Sequence, residues 1–204
     1  MSTIEKIIDQ LILQIRNFPN NGFYHGRMGM VVALYSYAVK SHDENLKNFS
    51  WDILEYILEN IYENLPIGLE NGLAGIGYGI TFLKKEVQLD CELNDVLSDI
   101  DHKIMEHDPR RILDSSLRTG ALGILSYLQL RKVTEPSLLS FDCQFLKELD
   151  VRLQHLQINK TDINAYSPFR DFDPPLWTIE DFWNKDLGIN AGLTYYVLQE
   201  LKYV

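Results

Sequence analysis

The segment from Gly68 to Ile80 reads GLENGLAGIGYGI and places five glycines in thirteen residues. It runs directly into the apolar stretch ITFL, which has the composition of a buried helix. A glycine inside a helix costs about 1 kcal/mol relative to alanine, so glycines here need a structural reason. Glycine lets backbones approach closely and permits a tight turn. The segment therefore predicts a buried helix that is entered through a glycine-rich turn.

Three further segments share this pattern, which makes it an internal repeat. The first three carry a Gly-x-x-Gly at the start of an apolar stretch, and their first glycines lie 46 and 48 residues apart. The fourth is looser and follows a longer separating segment. The glycines are Gly26/Gly29, Gly72/Gly75, Gly120/Gly123 and, in the fourth segment, Gly188 and Gly192. Asn71 and Thr119 directly precede their glycines and are predicted to be N-caps.

Amphipathic stretches alternate with these apolar segments. Each has apolar residues at i, i+3, i+4 and i+7, which is typical of a helix with one solvent-facing side. They centre on Ile4–Ile15, Leu54–Ile61, Leu93–Ile104 and Leu146–Leu156. The alternation predicts an all-α protein, an α/α-toroid-like incomplete barrel of about four helical hairpins. We expect a single domain over residues 1–204, with a proline- and aromatic-rich loop inserted at 158–185.

The composition limits the functional classes. The chain has 204 residues, 46% hydrophobic residues and a net charge of -10. This charge argues against nucleic acid or an anionic membrane as the main partner and favours cationic partners. No run is long and apolar enough for a membrane span, and the start of the chain lacks a signal-peptide pattern. With only two cysteines and no disulfide framework, we expect a cytoplasmic protein.

The phrases HGRMGMVVALYSYA and GLENGLAGIGYGITFL, and more weakly SLRTGALGILSYL, resemble the repeats of the lanthionine synthetase C-like (LanC-like) family. The resemblance covers nearly the whole chain as an architecture and implies an α/α-toroid. It also implies peptide modification. In that family a zinc ion held by two cysteines and a histidine activates a substrate thiolate, which adds to a dehydrated Ser or Thr and closes a thioether ring.

This sequence departs from the family at the zinc ligands. Neither Cys91 nor Cys143 precedes a Gly-x-x-Gly, and no Cys-His-Gly triplet occurs. Both cysteines stand at the starts of amphipathic helices that are predicted to be on the outside of the toroid. We therefore expect no metal site and no cofactor.

The glycine-bearing segments still contain residues that can bind a ligand. His25 is the only histidine in such a turn, and a helix N-terminus would keep it neutral and usable as a base. Arg27 and Arg118 flank their glycines and can hold an anion or a peptide carboxylate together with helix N-termini. Tyr78 lies within GIGYGI and is also a candidate ligand-binding residue. Capping, packing or pairing with a local acid is the structural alternative for His25 and the two arginines.

The inserted segment AYSPFRDFDPPLWTIEDFW supplies the other candidates. Its prolines favour an extended path, and long ordered loops with exposed aromatics are often functional. Phe172, Trp177 and Trp183 can stack on a sugar or an apolar peptide side chain. Asp171 and Asp173 are a candidate carboxylate pair of the kind that glycosidases use. The alternative is a lid that packs over the ends of the inner helices.

These observations favour a LanC-like protein without a zinc site, a non-catalytic or accessory peptide-binding component in the biosynthesis of a peptide natural product. Its expected partners are a precursor or leader peptide or a modification enzyme, and a homo-oligomer is another way to complete the ring. One alternative is a carbohydrate-active enzyme on an α/α-toroid, and a second is an active zinc-dependent thioether cyclase.

Overall fold

A computed structural model of the chain describes residues 2–61, 65–136, 141–158, 167–179, 183 and 185–204. Within these ranges the regular structure consists of α-helices and short 3-10 turns, without a β-strand, which confirms the all-α prediction. The helices are α1 Thr3–Ile15, α2 Arg27–Ser41, α3 Glu44–Glu59, α4 Leu73–Val87, α5 Leu93–Met105, α6 Ala121–Thr134, α7 Cys143–His155 and α8 Leu193–Glu200. The 3-10 turns are Pro109–Arg111 and Pro168–Arg170.

Three amphipathic helices begin at polar side-chain caps. Ser2 and Glu5 form a capping box at α1, in which each side chain accepts a hydrogen bond from the other residue's backbone N–H. Asp43 and Asp142 cap α3 and α7 by accepting hydrogen bonds from two backbone N–H groups each. A cap of this kind contributes about 1 kcal/mol. These caps fix where the amphipathic helices begin.

Two of the apolar helices, α2 and α4, are buried on all sides over most of their length. Every residue of α2 from Arg27 to Ser36 is buried, and so is every residue of α4 from Leu73 to Leu83. The amphipathic helices bury only one stripe, such as Leu93, Leu97, Ile100 and Ile104 in α5. The two kinds of helix predicted from the sequence therefore differ in burial as expected.

The chain divides into two compact units. Unit 1 comprises Met1–Tyr62 and Pro168–Val204 and contains α1, α2, α3 and α8. Unit 2 comprises Glu63–Ser167 and contains α4 to α7. In unit 1, α2 packs against α3 and α8, and α8 also packs against α1. In unit 2, α4 packs against α5 and α6, and α7 packs against the 3-10 turn Pro109–Arg111.

A seven-residue loop precedes each apolar helix, and we call these four segments the entry loops. They are residues 20–26, 66–72, 114–120 and 186–192. In each, the first backbone N–H of the helix donates to the carbonyl oxygen of the first loop residue. The bonds are Arg27 N to Asn20 O at 2.8 Å, Leu73 N to Pro66 O at 2.9 Å, Ala121 N to Asp114 O at 2.9 Å and Leu193 N to Asp186 O at 2.8 Å.

The last residue of each entry loop is a glycine because the loop folds back on it. A Cβ atom on Gly72 would lie 2.1 Å from the carbonyl oxygen of Pro66, and one on Gly192 would lie 2.4 Å from that of Gly188. Real Cβ atoms essentially never approach other atoms below 3.0 Å. Alanine therefore fits at neither position unless the loop backbone moves.

These glycines, and not the residues before them, are the N-caps. Asn71 and Thr119 precede the N-caps Gly72 and Gly120, and neither glycine-capped helix receives a side-chain capping bond. The prediction that Asn71 and Thr119 are N-caps was wrong by one residue. The physical reason is that the backbone carbonyl at the start of the loop supplies the acceptor, so no capping side chain is needed.

Candidate functional site

Side chains at the first loop position explain why three of the loops turn as they do. The Oδ1 atoms of Asn20, Asp114 and Asp186 each accept a hydrogen bond from the backbone N–H two residues later, at 2.7, 2.8 and 2.8 Å. These are Asx turns, and in the remaining loop, residues 66–72, Pro66 supplies the turn preference instead. The sequence carried this signal six residues before each capping glycine. Our reading of the Gly-x-x-Gly pattern missed it.

Entry loops pair in the same way in both units. In unit 2, Glu70 N donates to Arg118 O at 2.8 Å. In unit 1, Asn190 N and Ile189 N donate to Tyr24 O at 3.2 and 2.9 Å. The residues Glu70, Arg118, Asn190 and Tyr24 all occupy the fifth position of their loops. Each unit therefore presents a pair of backbone-linked loops at one end of its apolar helices.

In unit 1 residues 171–173 of the inserted segment bind to the paired loops. Tyr24 Oη donates to Asp171 Oδ2 at 3.1 Å, and Asp173 N donates to Asn190 Oδ1 at 2.8 Å. Ala191 N donates to Asp173 O at 2.8 Å. The predicted carboxylate pair is thus attached to the entry loops, with Asp171 half-buried and Asp173 exposed.

Phe172, predicted as a stacking surface, is only 7% exposed. Its ring lies in edge contact with Tyr24 at 4.7 Å, Phe169 at 5.6 Å and Phe23 at 5.8 Å between centroids. Such aromatic pairs contribute about 0.5–1.5 kcal/mol each beyond their buried area. Phe172 therefore anchors the segment to the first entry loop.

His25 lies beside the same tyrosine. Its ring is half-buried, with its centroid 6.4 Å from that of Tyr24. Because Asp171 also contacts Tyr24, the structure brings together two candidates that are far apart in the sequence. His25 and Asp171 are the members of this group that combine partial exposure with acid–base chemistry.

Arg27 has a different position from the one expected for a ligand-binding residue, because it is 7% exposed. Its Nε donates to Ile15 O at 2.9 Å, its Nη2 to Arg16 O at 3.0 Å and its Nη1 to Asn21 Oδ1 at 2.7 Å. The guanidinium also lies 4.9 Å from the ring centroid of Tyr56. These contacts join the end of α1 to the start of α2.

The two tryptophans lie farther along the inserted segment. The Trp177 ring is half-buried, 5.4 Å from that of Tyr196, and Lys185 Nζ lies 5.7 Å from its centroid. Tyr196 Oη donates to Trp177 O at 2.6 Å. Trp183 is 63% exposed. Trp183 can therefore meet a partner directly, whereas Trp177 is packed on α8.

Unit 2 contains the remaining two candidates. Tyr78 in α4 is 6% exposed, and burial raises its pKa to about 12, although a hydrogen bond with the Ser167 side chain acts in the opposite direction. Arg118 Nη1 lies 3.9 Å from Glu70 Oε1. Tyr78 therefore remains a neutral phenol at physiological pH. Arg118 has a local carboxylate close to its guanidinium.

The residues present do not fit the zinc site that the family resemblance implies. In the described ranges, no group of three His, Cys, Asp or Glu side chains is arranged to hold a metal ion. Cys143 is the first residue of α7 and is exposed, while Cys91 precedes α5 and is half-buried. Burial raises the pKa of the Cys91 thiol, and the positive charge of Lys84 opposes this rise only in part. A raised pKa makes Cys91 a poorer thiolate ligand.

Two acidic grooves in unit 1 were not anticipated from the sequence. One, of about 290 Å³, is lined by Glu5, Ile8, Asp9, Ile12, Tyr37, Ser41, Asp43 and Leu46. The other, of about 450 Å³, is lined by Arg16, Asp52, Ile53, Glu55, Tyr56 and Glu59. In the first groove the acids come from two elements, since Glu5 and Asp9 lie in α1 and Asp43 is the N-cap of α3, so a pattern along one helix does not reveal it. In the second groove all three acids lie on α3.

The first of these grooves has a negative electrostatic potential. Burial raises the pKa of Tyr37, and the charges of Glu5, Glu200 and Asp43 raise it further. The negative sign follows from the lining residues, which include Glu5, Asp9 and Asp43 and neither lysine nor arginine. We call it the α1–α3 groove below.

No protein-family model matches the chain, and no curated protein matches it. None of the described helices has the length and apolar character needed to cross a membrane.

Proposed function

We propose that this protein is a non-catalytic, LanC-like peptide-binding component that holds a basic segment of a precursor or leader peptide. Carboxylates above an apolar floor suit a peptide that carries both lysines or arginines and aliphatic side chains. The α1–α3 groove carries this proposal, since Ile8 and Leu46 form its buried floor while Glu5, Asp9 and Asp43 are exposed at its edge.

The repeat geometry supports the toroid-like arrangement that belongs to this proposal. In unit 2, the Gly68 backbone lies close to Arg118 O and Thr119 Cα of the next repeat. In unit 1, Gly188 lies equally close to Tyr24 O and His25 Cα. The fourth repeat thus contacts the first as the second contacts the third.

The proposal assigns no zinc chemistry to this chain, because its described residues do not form the ligand set of the family. An accessory role is sufficient for a chain that binds a peptide and presents it to a modification enzyme. Among the residues that the structure describes, no groove or cluster favours the carbohydrate-active or cyclase alternatives as the α1–α3 groove favours peptide binding.

Fluorescence anisotropy with labelled twelve-residue peptides tests the proposal. We expect a lysine–leucine peptide to bind more tightly than its glutamate–leucine analogue, with a preference that falls as salt rises from 50 to 500 mM. Asp9→Lys replaces an attraction by a repulsion, which near the surface is worth about 1–2 kcal/mol. The expected loss of affinity is roughly tenfold.

Asp99→Lys is the matched control, because Asp99 is an exposed helical acid in unit 2. It makes the same change in net charge and is expected to leave the affinity within about twofold. Equal effects of the two substitutions would mean that only net charge matters and would refute a site at the α1–α3 groove. Absence of binding by the lysine–leucine peptide would refute the proposal as well.

A further inference from the structure

One side of α7 forms the floor of a third groove, which we call the α7 groove. It lies in unit 2 and has a volume of about 480 Å³. The floor residues follow the spacing i, i+3, i+4, i+7, i+8 and i+11, so they make a single stripe along the helix. They are Gln144, Lys147, Glu148, Val151, Arg152 and His155. Eleven residues of helix span about 16 Å, or three turns. The groove is therefore long enough for three turns of a second helix.

The chain segment around Pro109–Arg111 forms the other wall. Arg152 Nε donates to Ile112 O at 2.5 Å, which joins this segment to α7. Pro109 is buried, whereas Arg110 faces the groove. The groove is thus built by packing and hydrogen bonding between two elements.

The groove combines apolar surface with positive charge. Val151 in the floor is 51% exposed, and Leu113, which follows the bonded Ile112, is 81% exposed. Val151 is the aliphatic side chain among the residues that line the groove, and Leu113 is not one of them.

The cationic side chains at or beside this groove outnumber the acidic ones, although the net charge of the whole chain is -10. The acids are Glu148, which lies 3.9 Å from Arg110 Nε, and Asp108, which pairs with Arg110 at 2.8 Å and with Arg111 at 3.8 Å. The cationic groups at or beside the groove are Arg110, Arg111, Lys147, Arg152 and, when protonated, His155. The α1–α3 groove in unit 1 has the opposite sign, with three acids and no lysine or arginine among its lining residues.

We propose that the α7 groove docks an acidic amphipathic helix of a partner protein, with aliphatic side chains on Val151 and carboxylates near Lys147 and Arg152. In helix-in-groove recognition a partner helix lays the apolar side formed by its residues i, i+3, i+4 and i+7 into a groove, and the α7 stripe is long enough to receive such a helix. Positive charge around Val151 selects an acidic helix over a basic one. This surface is separate from the α1–α3 groove, so the two proposals fail independently.

The probe is a synthetic fourteen-residue helix with leucine at i, i+3, i+4 and i+7 and glutamate at most other positions. Two analogues replace its glutamates by lysine or its leucines by serine. Anisotropy measured with the full chain is expected to show at least tenfold weaker binding for each analogue. Lys147→Glu and Val151→Asp are each expected to weaken binding of the leucine–glutamate helix about tenfold.

Lys132→Glu and Val133→Asp are matched controls, because both residues are exposed on α6 in the same unit and outside the groove. They are expected to leave binding within twofold, and circular dichroism melting checks that all four variants fold. The proposal is overturned if the leucine–glutamate helix does not bind, or if the groove and control variants weaken it equally. Sedimentation that shows self-association abolished by Lys147→Glu would overturn it too, since the occupant would then be a second copy of this chain.

Discussion

Replacing Gly192 by alanine tests whether the entry loops require glycine for steric reasons. The new Cβ would lie 2.4 Å from Gly188 O, 2.8 Å from Gly188 N and 2.9 Å from Asp186 O. All three are backbone atoms, so no side-chain rotation relieves the contacts. The loop must move by several tenths of an ångström to bring them to 3.0 Å or beyond.

That movement weakens the bonds that start α8. Leu193 N donates to Asp186 O at 2.8 Å, and Thr194 N donates to Leu187 O at 3.4 Å. Each bond contributes about 1 kcal/mol, and a buried donor without a partner costs about 1–3 kcal/mol. Alanine restricts the unfolded chain and offsets about 0.4–1 kcal/mol of the loss. The expected decrease in the free energy of unfolding is about 2–3 kcal/mol.

The neighbouring substitution Ala191→Gly is the matched control. Ala191 has a φ of 56°, in the left-handed region that costs a non-glycine residue about 1–2 kcal/mol. Glycine removes this strain but gives the unfolded chain more freedom, so we expect the free energy of unfolding to be unchanged or to rise by up to about 1 kcal/mol. Urea unfolding followed by circular dichroism measures both variants. A loss below about 0.5 kcal/mol for Gly192→Ala would refute the steric explanation.

Two further predictions concern candidate residues whose contacts the structure defines. Arg27→Lys replaces a planar guanidinium that donates to three oxygens, and we expect it to lower the free energy of unfolding by about 2 kcal/mol. Arg111→Lys is the control, because the Arg111 side chain is 88% exposed, and it should change the free energy of unfolding by less than about 0.5 kcal/mol. Equal effects of the two substitutions in urea unfolding would contradict the structural role of Arg27. The pKa of Tyr78 is about 12 in the folded protein, against 10.0 for an ordinary tyrosine. The unfolded chain therefore loses the phenolic proton first as pH rises. The free energy of unfolding is expected to fall between pH 10 and pH 12. The loss reaches roughly 2–3 kcal/mol, and Tyr78→Phe should make the pH dependence of unfolding less steep in this window, whereas an unchanged slope would contradict the burial of the phenol.

Local sequence information was sufficient for the helices. The i, i+3, i+4, i+7 spacing predicted the amphipathic helices, and the glycine-led apolar segments predicted α2, α4, α6 and α8. Both patterns lie within a few turns of one helix, so they can be read without knowing the rest of the fold. The prediction that His25 and Arg118 lie in glycine-bearing turns before such helices also followed from position along the chain.

The tertiary structure decided what those residues contact. Gly72 is an N-cap because the carbonyl of Pro66 returns to the helix start, and a search for capping side chains selected Asn71 instead. Arg27 was predicted to meet a ligand, but the ends of neighbouring elements supply its acceptors. Neither the capping role of Gly72 nor the acceptors of Arg27 can be predicted from the residue alone, because each depends on where another backbone segment passes.

The chemistry of the surfaces was decided in the same way. Asp171 meets Tyr24 across 147 positions of sequence, and the α7 groove needs Arg110 beside a helix that begins at Cys143. Sequence periodicity reports which side of one helix is buried, since that depends on residues a few positions apart. It does not report which helices and loops become neighbours, because side chains distant in the chain are brought together only by packing. The sequence by itself therefore determined the helices and their buried sides, and the tertiary structure determined the grooves and the contacts of the candidate residues.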